Sequence, residues 1–163
     1  MARIIIADAG PLIALAHIDE LSILPALFSS VAIPESVRQE CLAKPGIDAQ
    51  RIEAAIMADW LLVHQNPAPT IPLATSLGAG EVDAIQLALE ATEASLLIMD
   101  DRLARRYALS KGLHITGTVR LLDSAEQRGL IVDAEESIRE MQAFGYRISV
   151  SLLQKLRNRD KAT

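Results

Sequence analysis

The run Ile4-Ile5-Ile6-Ala7 stops at Asp8, and Gly10-Pro11 follows at once. The isoleucines do not alternate with polar residues, so both faces of the strand they form must be covered. That is the condition of a parallel sheet lying between helices. Pro11 suits the first position of a helix, where its missing N–H has no helical partner. The prediction is a buried strand that ends at Asp8 and a helix that opens at Pro11. Open α/β sheets keep their ligand crevices at the carboxyl ends of strands, which makes Asp8 a candidate site residue.

Leu96-Leu97-Ile98-Met99 repeats the pattern and is ended by Asp100-Asp101. Two parallel strands that both end in Asp bring those acids to one edge of the sheet. Shorter strands are expected over 31–33, 61–63 and 113–115. Helices are expected over 11–18, 21–28, 34–42, 49–60 (capped by Asp48), 81–93, 102–111, 118–127, 133–144 and 149–159. Pro67, Pro69 and Pro72 mark an ordered loop over 66–76. Strands alternating with helices predict an α/β fold with a parallel sheet. We expect residues 1–130 to form one domain, with 131–163 as a helical extension packed on it.

Of the 163 residues only five are aromatic, so the core is aliphatic and a base-stacking sheet is excluded. Cys41 is the single cysteine, which leaves no internal disulfide and no cysteine-based zinc site. Asp8 interrupts the first apolar run, and no stretch approaches the ~18 apolar residues of a spanning helix. The expectation is a cytoplasmic protein without membrane contact. Charge is uneven: residues 1–100 hold 13 acidic and 4 basic side chains, residues 101–163 hold 8 and 12. Arg102, Arg105 and Arg106 form one ridge of the helix after Asp100, placed either to hold phosphates or simply as a solvated face.

On the 81–93 helix, Asp83, Gln86, Glu90 and Glu93 share a polar stripe, while Val82, Ile85, Ala88 and Leu89 lie opposite. Glu81 falls within that apolar face. Favourable placement in the first helical turn explains Asp83 better than Glu81, so Glu81 is the stronger site candidate and Asp83 the weaker. Glu40 neighbours Val37 and Cys41, and spacing alone leaves it between a half-exposed glutamate and a site residue. Asp100 and Asp101 point to opposite sides, and Asp100 inward with Asp101 capping the next helix is the favoured arrangement. Gathered acids raise one another's pKa and destabilise the fold unless something neutralises them. A hard divalent cation such as Mg²⁺ does so with oxygen ligands, and it acidifies bound water.

Four stretches together resemble the PIN-domain family. They are Ile5-Ile6-Ala7-Asp8 with Pro11-Leu12-Ile13-Ala14; Ile33-Pro34-Glu35-Ser36-Val37 with Glu40; Gly78-Ala79-Gly80-Glu81 with Ala84-Ile85-Gln86-Leu87-Ala88; and Leu96-Leu97-Ile98-Met99-Asp100-Asp101-Arg102. Ile115-Thr116-Gly117-Thr118 fits the next junction, and the tail around Gly145-Tyr146-Arg147-Ile148-Ser149 is similar to a subgroup related to VapC-type toxins. The resemblance implies a three-layer α/β/α sandwich on a five-stranded parallel sheet, with a Mg²⁺- or Mn²⁺-dependent endoribonuclease activity. It also implies homodimers and inhibition by a small antitoxin protein. Carried over by position, Asp8, Glu40, Glu81 and Asp100 form the acidic quartet. Asp8, Glu81 and Asp100 would hold the metal, with Asp101 or Asp83 as further ligands. Arg102, Arg105 and Arg106 would bind RNA, and Gly10 and Thr118 would support the site. Two departures stand out: Gly10 takes the place of a Ser or Thr hydroxyl, and the third acid, usually an Asp in VapC-type sequences, is open between Glu81 and Asp83. A rival reading is a PIN fold that binds RNA or protein without cutting. A receiver-type phosphoryl-transfer domain fits less well, since only Asp8 follows the first strand.

Overall fold

The computed structural model describes residues 3–68, 70 and 76–161. Strands β1 (Arg3–Ala7), β2 (Val31–Pro34), β3 (Leu61–His64), β4 (Ala94–Ile98) and β5 (His114–Thr116) form one sheet in the order β3-β2-β1-β4-β5. Every pairing is parallel. Helices α1 (Ala9–His17) and α2 (Ile23–Phe28) link β1 to β2, and α3 (Glu35–Leu42) and α4 (Ile47–Met57) link β2 to β3. Helix α5 (Ala79–Glu90) returns to β4, and α6 (Arg102–Ser110) leads to β5. Helices α7 (Thr118–Gln127), α8 (Ala134–Ala143) and α9 (Val150–Lys161) follow.

Side chains alternate across the sheet, and both faces are covered, as the unbroken isoleucine run predicts. Ile5, Ala7, Val31, Ile33, Leu96 and Ile98 join one core with Leu12, Leu15, Val37, Ile52, Leu122, Ile138, Met141 and Leu156. Ile6, Ala32, Leu97 and Met99 join a second core under α5 and α6, which contribute Ala84, Ile85, Ala88, Ala104 and Ala108. The result is a three-layer α/β/α sandwich. Side chains of α8 and α9 enter the first core, so the segment beyond 130 packs against the rest of the chain.

From β1 the chain moves outward to β2 and β3, then crosses back to β4 on the other side of β1. The direction of winding therefore reverses between β1 and β4, and crevices form at the carboxyl ends of strands at such a point. Arg3 is level with Ala94 and Ala7 with Ile98. The backbone N–H of Asp8 donates to the Ile98 carbonyl (3.0 Å), and that of Met99 to Thr116 (2.9 Å). Asp8 and Asp100 thus lie just past the paired ends of adjacent strands.

Several boundaries differ from expectation. Asp8 itself is the N-cap of α1, with extended backbone (φ −82°, ψ 164°), and the helix opens at Ala9. Pro11 falls third, which costs nothing because the first four helical N–H groups have no intrahelical acceptor. Helix α4 starts at Ile47 from Gly46, so Asp48 lies inside its first turn and is not its cap. Helix α5 starts at Ala79, two residues early, and ends at Glu90. The polar stripe on α5 also needs correction: Gln86 is buried and Leu89 is 39% exposed. The Gln86 amide accepts from the Thr70 hydroxyl and donates to Glu90 (3.0 Å), which satisfies it inside. Of the expected proline loop, Pro69 and Pro72 lie outside the described residues. No helix among the described residues is long and apolar enough to cross a membrane.

Candidate active site

The carboxyl edge at the β1–β4 boundary carries the acids. Asp8 is 7% exposed, and its Oδ1 is buried without a hydrogen-bond partner among the described residues. Burial pushes its pKa up to about 7, against the N–H of Ala9, and the charges of Glu81, Glu40 and Asp100 add to the rise. The other three acids named from the sequence therefore all act on Asp8.

Helix α5 delivers Glu81. Its Oε1 accepts from the N–H of Gly78 (2.9 Å), the reach-back half of a capping box, since the glycine has no side chain to complete it. Oε2 is buried without a hydrogen-bond partner among the described residues. Burial raises the Glu81 pKa, the Gly78 bond opposes this, and the charge and side-chain contact of Asp101 and the charge of Glu40 add to it. Asp83 lies partly exposed two residues further along α5.

Helix α3 delivers Glu40. A Cβ built on Gly80 would stand 3.2 Å from Glu40 Oε2, 3.3 Å from the Val37 methyl and 3.8 Å from Asp8 Oδ1. The first turn of α5 therefore passes so close to the Glu40–Asp8 pair that only glycine fits without displacing a neighbour. Beside Glu40, burial pushes the Cys41 thiol up to about 12, and Glu40 and Asp8 add to that, so it stays a neutral thiol.

Asp100 is the most heavily bonded acid. Its Oδ1 accepts from the backbone N–H of Thr118 (2.8 Å). Its Oδ2 accepts from the Thr118 hydroxyl (2.5 Å) and from the Tyr146 hydroxyl (3.0 Å). Asp101 caps α6 by accepting from the N–H of Ala104 (3.0 Å), and its side chain is also close enough to Glu81 to raise that carboxyl's pKa. Arg102 and Arg106 are exposed on α6. Arg105 folds back to donate to the Met99 carbonyl (3.2 Å), and a Cβ on Gly117 would lie 2.6 Å from its Nη1 and 2.9 Å from Asp100 Oδ1.

The acids converge without forming a finished cage. Among the described residues no three His, Cys, Asp or Glu side chains stand close enough to hold one ion. Asp100 is bonded to the chain's own donors, and Glu81 is half turned to Gly78. Yet the donor set fits a hard cation. Two buried carboxylate oxygens, Asp8 Oδ1 and Glu81 Oε2, lack hydrogen-bond partners among the described residues, and leaving such groups unpaired is costly. Mg²⁺ is commonly held by only one or two carboxylates, with waters filling its other positions.

Two features of the site are not legible in the sequence: the close approach of Gly80 to Glu40 and the contact of Tyr146 with Asp100. The nearest signal for Tyr146 was Gly10, whose missing side chain leaves a space that a distant residue could fill. A family model described as DUF3368: PIN domain matches residues 4–161. No curated protein matches the chain.

Proposed function

This chain belongs to the PIN-domain family, a nuclease-type fold, and from that footing we propose that it is a divalent-metal-dependent endoribonuclease. One observation carries the reading: buried carboxylate oxygens of Asp8 and Glu81 lack hydrogen-bond partners among the described residues, on the sheet edge where the winding reverses. Asp8 and Glu81 would hold Mg²⁺ or Mn²⁺, with Asp100 completing the site. Held there, such an ion would acidify a water and neutralise charge on a phosphoryl oxygen. Glu40, beside Asp8, is the carboxylate left to orient the attacking water and take its proton. Hydrolysis adds that water's oxygen to phosphorus as the bond to the leaving ribose oxygen breaks, and the leaving oxygen gains a proton. Exposed Arg102 and Arg106 can pair with backbone phosphates, which the acids alone would repel. Arg105, bonded to Met99, serves the loop that carries Asp100. The resemblance further suggests a homodimer as the working assembly and a small antitoxin protein as its inhibitor.

Purified protein with Mn²⁺ is expected to cut single-stranded RNA, and EDTA to stop it. Asp8→Asn is expected to slow cleavage by about 100-fold or more. A broad RNA panel left intact in Mn²⁺, or equal cleavage by D8N, would sink the reading. The second reading, a PIN fold that binds without cutting, is favoured by the three hydrogen bonds already on Asp100. It predicts RNA binding in a mobility-shift assay that EDTA leaves unchanged, with no cleavage.

A further inference from the structure

Tyr146 lies far along the chain from Asp8 and Asp100, yet it touches the site. Its place is set by the end of α8. Gly145 has φ +91°, a conformation that glycine adopts without strain. The N–H of Gly145 donates to Gln142 (2.9 Å) and that of Tyr146 to Met141 (3.2 Å). These two bonds form the paired C-terminal turn that closes a helix and reverses the chain. The turn sends the Tyr146 ring into the first core, where it packs partly buried. Its hydroxyl emerges 3.4 Å from where a Cβ on Gly10 would be, and it donates to Asp100 Oδ2 (3.0 Å).

The lone pairs of Asp100 can be counted. Each carboxylate oxygen offers about two acceptor positions. Oδ2 is filled by Thr118 and Tyr146, and Oδ1 has given one position to the Thr118 N–H. One position on Oδ1 is left.

We propose that Tyr146 is a positioning residue of the site, whose hydroxyl packs against Gly10 and orients Asp100 so that only Oδ1 is offered to a cation. The inference rests on the metal-dependent reading above. Partners that orient a ligating carboxylate commonly govern metal affinity as well as rate.

The test uses full-length protein and Mn²⁺ alone, with binding measured by calorimetry and by the loss of free-ion EPR signal. Tyr146→Phe keeps the ring and removes only the hydroxyl. It is expected to weaken Mn²⁺ binding roughly tenfold, with the metal-free melting temperature little changed. Y146F/G10S, which returns a hydroxyl from the other side, is expected to recover part of that loss. Wild-type affinity in Y146F, or tighter binding, would overturn the inference and leave the nuclease reading standing. An equal loss in Leu156→Ala, which loosens the same tail without touching the hydroxyl, would overturn it as well. Wild-type protein that binds no Mn²⁺ and cuts no RNA would overturn the nuclease reading, and this inference with it.

Discussion

Asp8 is held in a position that opposes its own charge. Its carboxyl titrates near 7 in the fold against 3.8 in an ordinary aspartate, because of burial first and then of Glu81, Glu40 and Asp100. Between those two values the folded chain keeps a proton that the unfolded chain has released. Stability therefore falls as pH rises through this window and levels off above it. The metal-free protein is expected to melt lower at about pH 8 than at about pH 5, by roughly 2–4 °C for each kcal/mol involved. Asp8→Asn should flatten that slope, because the amide carries no charge. Mn²⁺ should raise the melting temperature more at the higher pH, since ligation needs the ionised carboxylate. Thermal melts of both proteins across the range, with and without Mn²⁺, check this. A wild-type slope unchanged in D8N would refute the assignment.

Helix α5 shows how closely the elements must meet. Gly80→Ala offers a gain of up to about 1 kcal/mol in helix propensity, but its methyl would stand 3.2 Å from the Glu40 carboxylate and 3.3 Å from Val37. We expect a melting temperature close to wild type and a cleavage rate lower by about tenfold or more, since a small displacement of a reacting group is expensive. Full activity in G80A would show that Glu40 has no role in the reaction. Local pattern alone reveals part of this arrangement. Apolar runs ending at Asp8 and Asp100 announce the two strands and the shared edge, and Asp101 caps α6 as its position suggests. Periodicity misjudged Gln86, because it records polarity and not the Thr70 and Glu90 groups that satisfy a buried amide. It also set the start of α5 too late, because two glycines read as a loop until Glu81 is seen bonding back to Gly78.

The whole molecule is closed by its tail. Arg157 donates to Glu135 Oε1 through Nε (2.9 Å) and Nη2 (2.7 Å), and Arg139 joins the same oxygen (3.1 Å), so α9 is clasped to α8 by exposed charges. Arg157 and Arg139 hold the Glu135 carboxyl below the usual range. Exposed pairs of this kind are screened by salt. Glu135→Gln, or roughly 0.5 M NaCl, is expected to speed tryptic cleavage at Arg147 and Lys155 while sites within α6 stay protected. Equal digestion rates would show that apolar packing alone secures α9. No local pattern could disclose that Tyr146 meets Asp100, because the contact depends on how α8 is laid across the first core. The same long reach bears on biosynthesis. Ribosomes deliver the amino end first, so Ala7 is made some ninety residues before Ile98, its neighbour in the sheet, exists. The tyrosine that secures Asp100 emerges later still. Under the nuclease reading, a half-made chain on a ribosome would be unarmed, and the transcript encoding it would be spared by its own unfinished product.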